Sequence, residues 1–95
     1  MTDIDPIVQR MEAFNRENGG GVSVRKSRGG YNLTMTGTGA PVARLKPEGP
    51  GDRMRILYWS WQERWKDVGD MGGIVLPLDE ALDQIATTEI FWTWT

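Results

Sequence analysis

The sequence lacks both cysteine and histidine among its 95 residues. Without cysteine, the chain cannot form a disulfide, a zinc–thiolate site, an iron–sulfur cluster or a thiol nucleophile. Without histidine, it lacks the most common metal ligand and the usual general base of hydrolases. We therefore expect a protein that is not an enzyme, with no catalytic, cofactor-binding or metal-binding residue. Occasional binding of calcium or magnesium by Asp67 and Asp70 is the one weak alternative.

Long apolar runs are also missing, because no stretch approaches the roughly 20 apolar residues that a membrane-spanning helix needs. The chain begins with an acidic, polar segment, which is unlike a secretory signal. These features favour a cytoplasmic protein without a membrane partner. The length suits one domain, and no repeat or linker divides residues 1–95.

The formal net charge is only −2, but the charges are segregated along the chain. Residues 25–66 hold nine basic and three acidic side chains, whereas residues 67–95 hold six acidic side chains and no basic one. Residues 1–24 carry a net charge of −2. Two interpretations remain open. The acidic ends neutralise the basic middle within the fold, which the near balance favours, or the basic middle forms a face for an anionic partner.

The spacing of apolar residues predicts an N-terminal helix over residues 3–17. Ile4, Met11 and Phe14 recur at intervals that place them on one stripe of a helix. Three glycines at positions 19–21 end this helix, because glycine readily adopts the left-handed conformation of a helix C-terminus. No strand precedes these glycines and no Gly-Lys-Ser/Thr follows them, so they are not a phosphate-binding loop.

Alternating polarity and glycine turns predict three antiparallel strands after the helix. We place them at residues 22–26, 31–36 and 41–46. In the third strand, we expect Ala43 and Leu45 to share one face. Val42 is then expected on the other face, together with Arg44 and Lys46.

The most unusual stretch is residues 53–65, which contain Trp59, Trp61 and Trp65. Its run of Ile, Leu, Tyr and Trp is typical of a buried strand, and the polar break at residues 60–63 predicts a hairpin turn. Because a tryptophan buries a large area, we expect the tryptophans to dominate the core. At least one helix should then cover the sheet face that carries them.

The C-terminal part predicts a second helix over residues 77–86, with Leu82 in its apolar stripe. Residues 90–95 are rich in aromatic side chains and form either a final short strand or an exposed interaction segment. The expected fold is therefore α+β: a meander of about five antiparallel strands, packed by an N-terminal and a C-terminal helix, with a short terminal strand.

The candidate partner-binding residues are basic or aromatic: Arg44, Lys46, Arg53, Arg55, Trp59, Trp61, Trp92 and Trp94. The function that we favour is non-enzymatic binding of a protein partner or of a second copy of the chain. The alternative is binding of single-stranded nucleic acid, since cations beside exposed aromatic rings can follow a phosphate backbone and stack on bases.

A further pattern lies in the second half of the chain: Leu57-Tyr58-Trp59, Arg64-Trp65, the segment from Leu78 to Ile85, and Phe91-Trp92. Together with the strand at residues 41–45, this pattern resembles a family of small bacterial proteins, the domain of unknown function 3024 family. The resemblance covers roughly residues 40–92. It implies a small α+β fold with an antiparallel sheet, and it implies no activity.

Overall fold

A computed structural model describes residues 5–60, 62–68 and 73–92. The predicted residues Trp61, Asp70 and Trp94 lie outside these ranges. The architecture is α+β, as expected. The helices are α1 (Pro6–Glu17) and α2 (Leu78–Thr87). The strands are β1 (Val22–Ser27), β2 (Gly30–Met35), β3 (Pro41–Pro47), β4 (Arg53–Trp59), β5 (Trp65–Asp67) and β6 (Ile74–Pro77).

The six strands form one antiparallel sheet in which β1 to β5 follow each other as a meander. The second half of β4 pairs with β5, and its first half pairs with β6. These two strands therefore lie end to end along the same edge of β4. The sequence predicted the meander correctly, but β6 was not among the predicted strands.

Helix α1 begins where Asp5 caps its N-terminus, since the Asp5 carboxylate accepts a hydrogen bond from the Ile7 N–H at 2.9 Å. Pro6 occupies the first turn, where its missing N–H has no helical partner. Asn18 ends the helix, and Gly19–Gly21 follow with positive φ angles. Within the described helix the apolar stripe faces the sheet, with Met11 fully buried, whereas Ile4, also predicted in this stripe, lies outside the described ranges.

Helix α2 buries one apolar stripe against the same side of the sheet: Leu78, Ala81, Leu82 and Ile85. Its first turn carries two acidic residues, which the helix dipole favours at that end. The core between the helices and the sheet is built mainly from aliphatic side chains and methionine, with Tyr31 and Phe91 as its aromatic members.

The tryptophans do not dominate the core, contrary to our expectation. No tryptophan is among the buried core residues of the described chain, and only Trp92 packs against their cluster. Along β4, Met54 and Ile56 are buried under the helices, so strand alternation places Trp59 on the opposite face. The expected helix over the tryptophan-bearing face is therefore wrong, because α1 and α2 both cover the other face.

A β-bulge in β3 overturns the expected orientation of Val42. The register between β2 and β3 shifts after Leu33, which pairs with Ala43, so that Thr34 pairs with Pro41. Val42 is the extra residue, and its side chain is 1% exposed rather than aligned with Arg44. The sequence does not reveal such an extra residue, because polar and apolar side chains still alternate before and after it.

The chain after α2 forms a 3₁₀ helix, Glu89–Trp92, rather than the expected terminal strand. The Phe91 N–H donates to the Thr88 carbonyl at 3.3 Å, and this tight turn rotates the Phe91 side chain into the core. The Trp92 indole N–H donates to the Ile85 carbonyl at 2.9 Å. Residues 93–95 lie outside the described ranges.

Two polar connections link α1 to the rest of the fold. The second carboxylate oxygen of Asp5 accepts a hydrogen bond from the Tyr31 hydroxyl at 2.9 Å and contacts the Lys26 ammonium at 3.1 Å. Desolvation would raise the pKa of Asp5, but the hydrogen bonds from the Ile7 N–H, Lys26 and Tyr31 outweigh it. The pKa therefore lies below its ordinary value of 3.8. Further along α1, Arg10 bridges Asp52 at 2.8 Å and Asp79 at 3.0 Å.

We expect Leu82→Ala to lower the free energy of unfolding by about 2–5 kcal/mol, because Leu82 is 4% exposed and its truncation leaves a cavity. Chemical denaturation of both proteins measures the difference. Gln84→Ala, at an exposed position of the same helix, is the control and should change the stability by less than about 0.5 kcal/mol. A loss below about 1 kcal/mol for Leu82→Ala would show that this side chain is not part of the core.

We expect Asp5→Asn to destabilise the protein in a pH-dependent way. Because the folded pKa of Asp5 is lowered, its carboxylate stabilises the fold above pH 3.8, and this contribution disappears as the pH falls through the folded pKa. The difference in unfolding free energy between the two proteins should therefore be largest above about pH 5 and shrink in acid. Urea denaturation from pH 3 to pH 7 measures it.

The control for this series is Asp83→Asn, since the Asp83 carboxylate makes no hydrogen bond or ion pair within the described part of the chain. A stability difference for Asp5→Asn that stays constant across the pH range would contradict the charged interaction with Tyr31 and Lys26.

Candidate binding surface

The sheet has a second face, directed away from both helices, which we call the outer face. It is formed by the side chains that alternate with the core residues along each strand: Arg25, Asn32, Arg44, Lys46, Arg53, Arg55, Leu57, Trp59, Trp65, Asp67 and Val75. Five of the eight predicted partner-binding residues lie on this face. No helix of the described chain packs on it.

Strand register arranges the outer face in rows that cross the sheet. One row runs through Arg25, Asn32, Arg44, Leu57 and Asp67, which are directly opposite one another on five successive strands. In the neighbouring row, Lys46 of β3 lies opposite Arg55 of β4, which in turn lies opposite Val75 of β6. Side chains in one row, or diagonal to each other in adjacent rows, are close enough to interact. The predicted basic residues of β3 and β4 are therefore neighbours.

Arg44 lies across β2 and is held by neutral groups. Its guanidinium donates to the Asn32 side-chain carbonyl and to the Arg28 backbone carbonyl, both at 2.5 Å. Gly30 makes room for it, because a Cβ atom at this position would lie 3.1 Å from the Arg44 Cζ and 2.9 Å from the Leu45 carbonyl oxygen. The geometry of Arg44 is thus fixed while its positive charge stays uncompensated by these partners.

Arg55, in contrast, is neutralised by carboxylates. It forms a two-pronged ion pair with Glu48, one prong of which measures 2.7 Å, and it contacts Asp67 at 3.3 Å. The hydrogen bonds with Glu48 and Asp67 raise the pKa of Arg55, and the same pairing lowers the pKa of Glu48. Arg55 therefore connects the loop before β4 to β5, and its charge is less available to a partner than sequence alone suggests.

Four cations of the outer face have no carboxylate within 4.0 Å among residues 5–60, 62–68 and 73–92: Arg25, Arg44, Lys46 and Arg53. Three of them were predicted, and Arg25 was missed. The expected neutralisation of the basic middle by the acidic ends is therefore incomplete. Asp67 pairs with Arg55 and Asp5 pairs with Lys26, whereas none of these four cations has such a partner within the described residues.

An apolar area lies beside these cations at the β4–β5 end of the outer face. Trp59 and Trp65 are directly opposite each other, with ring centroids 5.0 Å apart and an interplanar angle of 71°. Such an edge-to-face pair is a favourable arrangement of aromatic rings. Leu57, one position along the same face of β4, extends the area, and all three side chains are half-buried. We call these three residues the aromatic patch.

The turn between β4 and β5 sets the register of the aromatic patch. The Ser60 N–H donates to the Arg64 carbonyl at 2.9 Å, and the Glu63 N–H donates to the Ser60 carbonyl at 3.0 Å. Glu63 adopts a left-handed conformation with φ of 58°. Sequence reasoning placed this turn correctly. It missed Trp65 as a site residue, although pairing across the predicted turn would have brought it opposite Trp59.

Of the three remaining predicted residues, one lies on the helix side of the sheet and two lie outside the described ranges. Trp92 lies on the helix side of the sheet, where it packs against the core. Trp61 and Trp94 lie outside the described ranges. Of the two residues of the predicted calcium or magnesium site, Asp67 forms an ion pair with Arg55, and Asp70 lies outside the described ranges. Within the described residues, no group of three or more acidic side chains is suited to hold a metal ion.

Comparisons with known proteins give no relative from which a role could be inferred. Neither helix of the described chain is long and apolar enough to cross a membrane. The similarity to the domain of unknown function 3024 family stays a prediction. Searches against family models, curated proteins and solved structures found no match for this chain.

Proposed function

We propose that the chain is a non-enzymatic binding module that uses the outer face to hold an acidic segment of a partner protein or of a second copy. The observation that carries this proposal is the combination of the aromatic patch with four cations that form no ion pair with a carboxylate of residues 5–60, 62–68 and 73–92. Protein interfaces are enriched in tryptophan and arginine, and their binding energy is concentrated in such residues.

The two parts of the surface contribute differently to binding. Covering the aromatic patch removes apolar area from water and supplies most of the affinity. The surrounding cations steer an acidic partner toward the surface and favour it over a basic one, an effect that weakens as salt is added. An acidic segment that also carries apolar side chains satisfies both parts.

A second copy of the chain is one source of such a segment. Helix α2 exposes Glu80 and Asp83 on the side of the molecule opposite the outer face, and neither forms an ion pair within the described chain. Opposite charges on opposite sides allow one copy to dock its helix on the sheet of the next. This contact would be head-to-tail rather than two-fold symmetric.

We expect charge reversal on the outer face to weaken binding of an acidic peptide. A fluorescein-labelled peptide of alternating glutamate and leucine serves as the ligand, and fluorescence anisotropy at low salt measures its Kd. Lys46→Glu should raise this Kd at least about fivefold, because it removes an exposed cation and adds a repulsive charge. Trp59→Ala should also raise it, through loss of apolar contact area.

The matched control is Arg16→Glu, which makes the same change of charge at an exposed position of α1. Equal Kd values for Lys46→Glu and Arg16→Glu would mean that only net charge matters and would refute the outer face as the site. Sedimentation velocity of the unmodified chain at low salt tests for a second copy as partner. A self-associated species should be lost on Lys46→Glu as well as on Glu80→Lys.

The second candidate function is binding of single-stranded nucleic acid. It is supported by the placement of Arg25, Arg44 and Lys46 in two adjacent rows beside the Trp59–Trp65 pair. Cations spread over several strands can contact successive phosphates, and an indole ring can stack on a base. The overall acidity of the protein, with a pI near 5.0, weighs against it.

We expect this candidate to be separable from the first by an oligonucleotide titration. If it is correct, a labelled 15-nucleotide oligothymidylate binds at low salt, and the logarithm of its affinity falls linearly with the logarithm of the salt concentration. Lys46→Glu then weakens binding and Arg16→Glu does so much less. Unchanged anisotropy at the highest protein concentration would eliminate nucleic acid and leave the protein partner.

A further inference from the structure

On the helix side of the sheet, a cleft of about 300 Å³ lies between α1 and α2. Arg10 connects the two helices near the start of α2 through its contact with Asp79. The cleft is lined by later turns of both helices, by Met11 and Phe14 on α1 and by Leu82 and Ala86 on α2. The helices are thus linked at one end, and further along they leave a space over β1, β2 and β3.

The floor of the cleft is apolar. It is formed by β1, β2 and β3, including Leu33, Met35 and the bulged Val42. The β-bulge therefore has a local consequence, because it adds an apolar side chain to this floor. The Trp92 indole forms a wall of the cleft, and the bond from its N–H to the Ile85 carbonyl fixes the orientation of the ring.

We propose that this cleft binds a small, neutral aromatic molecule. Its volume is at the lower end of the range of known ligand sites. About ten molecules of liquid water occupy the same volume. A ligand of about ten non-hydrogen atoms, such as one with two fused rings, matches that volume. Most of the lining is apolar, so covering it with an apolar molecule removes apolar area from water.

The lining residues select both the charge and the shape of the ligand. No lysine, arginine, aspartate or glutamate of the described chain lines the cleft, so a charged ligand would lose its hydration without gaining an ion pair. The rings of Phe14 and Trp92 and the sulfur atoms of Met11 and Met35 make favourable contacts with an aromatic ring. At the rim, Asn15 is occupied by two hydrogen bonds to the backbone of Val22.

This site is independent of the proposed function, because it lies on the opposite side of the sheet from the outer face. The two sites also differ in their electrostatics. Binding of an acidic partner to the outer face weakens with salt, whereas binding of a neutral molecule in an apolar cleft does not. Salt dependence therefore distinguishes a ligand in the cleft from one on the cationic surface.

The test uses 2-naphthol, which is neutral at pH 7, and 2-naphthoate, which has the same rings and a negative charge. Equilibrium dialysis against the full chain measures binding of each. We expect one 2-naphthol per chain, with a Kd between about 1 μM and 1 mM that is unchanged by added salt. The affinity for 2-naphthoate should be at least tenfold lower, because its carboxylate finds no cation in the cleft.

Two substitutions on α2 locate the bound molecule. Ala86 is exposed but lines the cleft, so the ring of Ala86→Phe should narrow its opening and weaken 2-naphthol binding at least tenfold. Gln84→Phe adds the same ring at an exposed position that does not line the cleft, and it should leave the Kd unchanged. Thermal unfolding of both variants, followed by circular dichroism, verifies that each is folded at the temperature of the dialysis.

Three kinds of result would overturn the proposal. The first is absence of 2-naphthol binding to the folded, unmodified chain at millimolar concentration. The second is equal binding of 2-naphthol and 2-naphthoate, or equal effects of Ala86→Phe and Gln84→Phe, which would place the ligand elsewhere. The third is a stoichiometry of one ligand per two chains, which would assign the site to an interface between copies.

Discussion

The alternation of side chains along β4 is the constraint on which the rest of the structure depends. β4 pairs with β3 on one edge and with β5 and β6 on the other, so its orientation is fixed by hydrogen bonds on both sides. Met54 and Ile56 are buried under the helices, and Leu57 and Trp59 are therefore directed outward. A shift of one residue would exchange the two sets, which would expose core side chains and bury charged ones.

Because of this alternation, the sheet separates two chemically different environments. The helix side contains the aliphatic core and the apolar cleft. The other side contains the aromatic patch and the cations. Arg55 belongs to this second side but has a structural role, since its pairing with Glu48 and Asp67 connects the β3–β4 loop to the short strand β5. Gly73 lies so close to the Arg55–Asp67 pair that a Cβ atom there would be 2.6 Å from the Arg55 guanidinium.

The sequence allowed the helices, the meander and most of the face assignments to be predicted, because each depends on local spacing of apolar residues. The α2 stripe is an example, since Leu82 is apolar at the expected helical interval and is buried. The location of the tryptophans was predicted wrongly for a physical reason. Their size suggested burial, but the period of two in β4 gave the core side to Met54 and Ile56 instead. The strand register, rather than the size of the side chain, therefore decides which residues of β4 are buried.

Other features depended on tertiary context. The bulge at Val42 is a property of pairing between β2 and β3, and the 3₁₀ helix at the end of the described chain depends on the core accepting Phe91. The outer face was predictable in part: Arg44, Lys46, Arg53 and Trp59 could be assigned to one face from alternation. Which cations are neutralised could not be predicted, because the pairs with Arg55 come from a loop and a strand that only the fold brings together.

The aromatic patch leaves part of its apolar surface in contact with water. The Trp59–Trp65 contact buries part of each ring, yet both side chains stay half-buried on a face without a described helix. Exposed apolar surface of this kind favours aggregation unless something prevents it. The neighbouring cations repel the same face of another copy, so face-to-face association is disfavoured. Under the proposed function the same charges would attract an acidic partner, so that a single arrangement of residues opposes one kind of contact and favours the other.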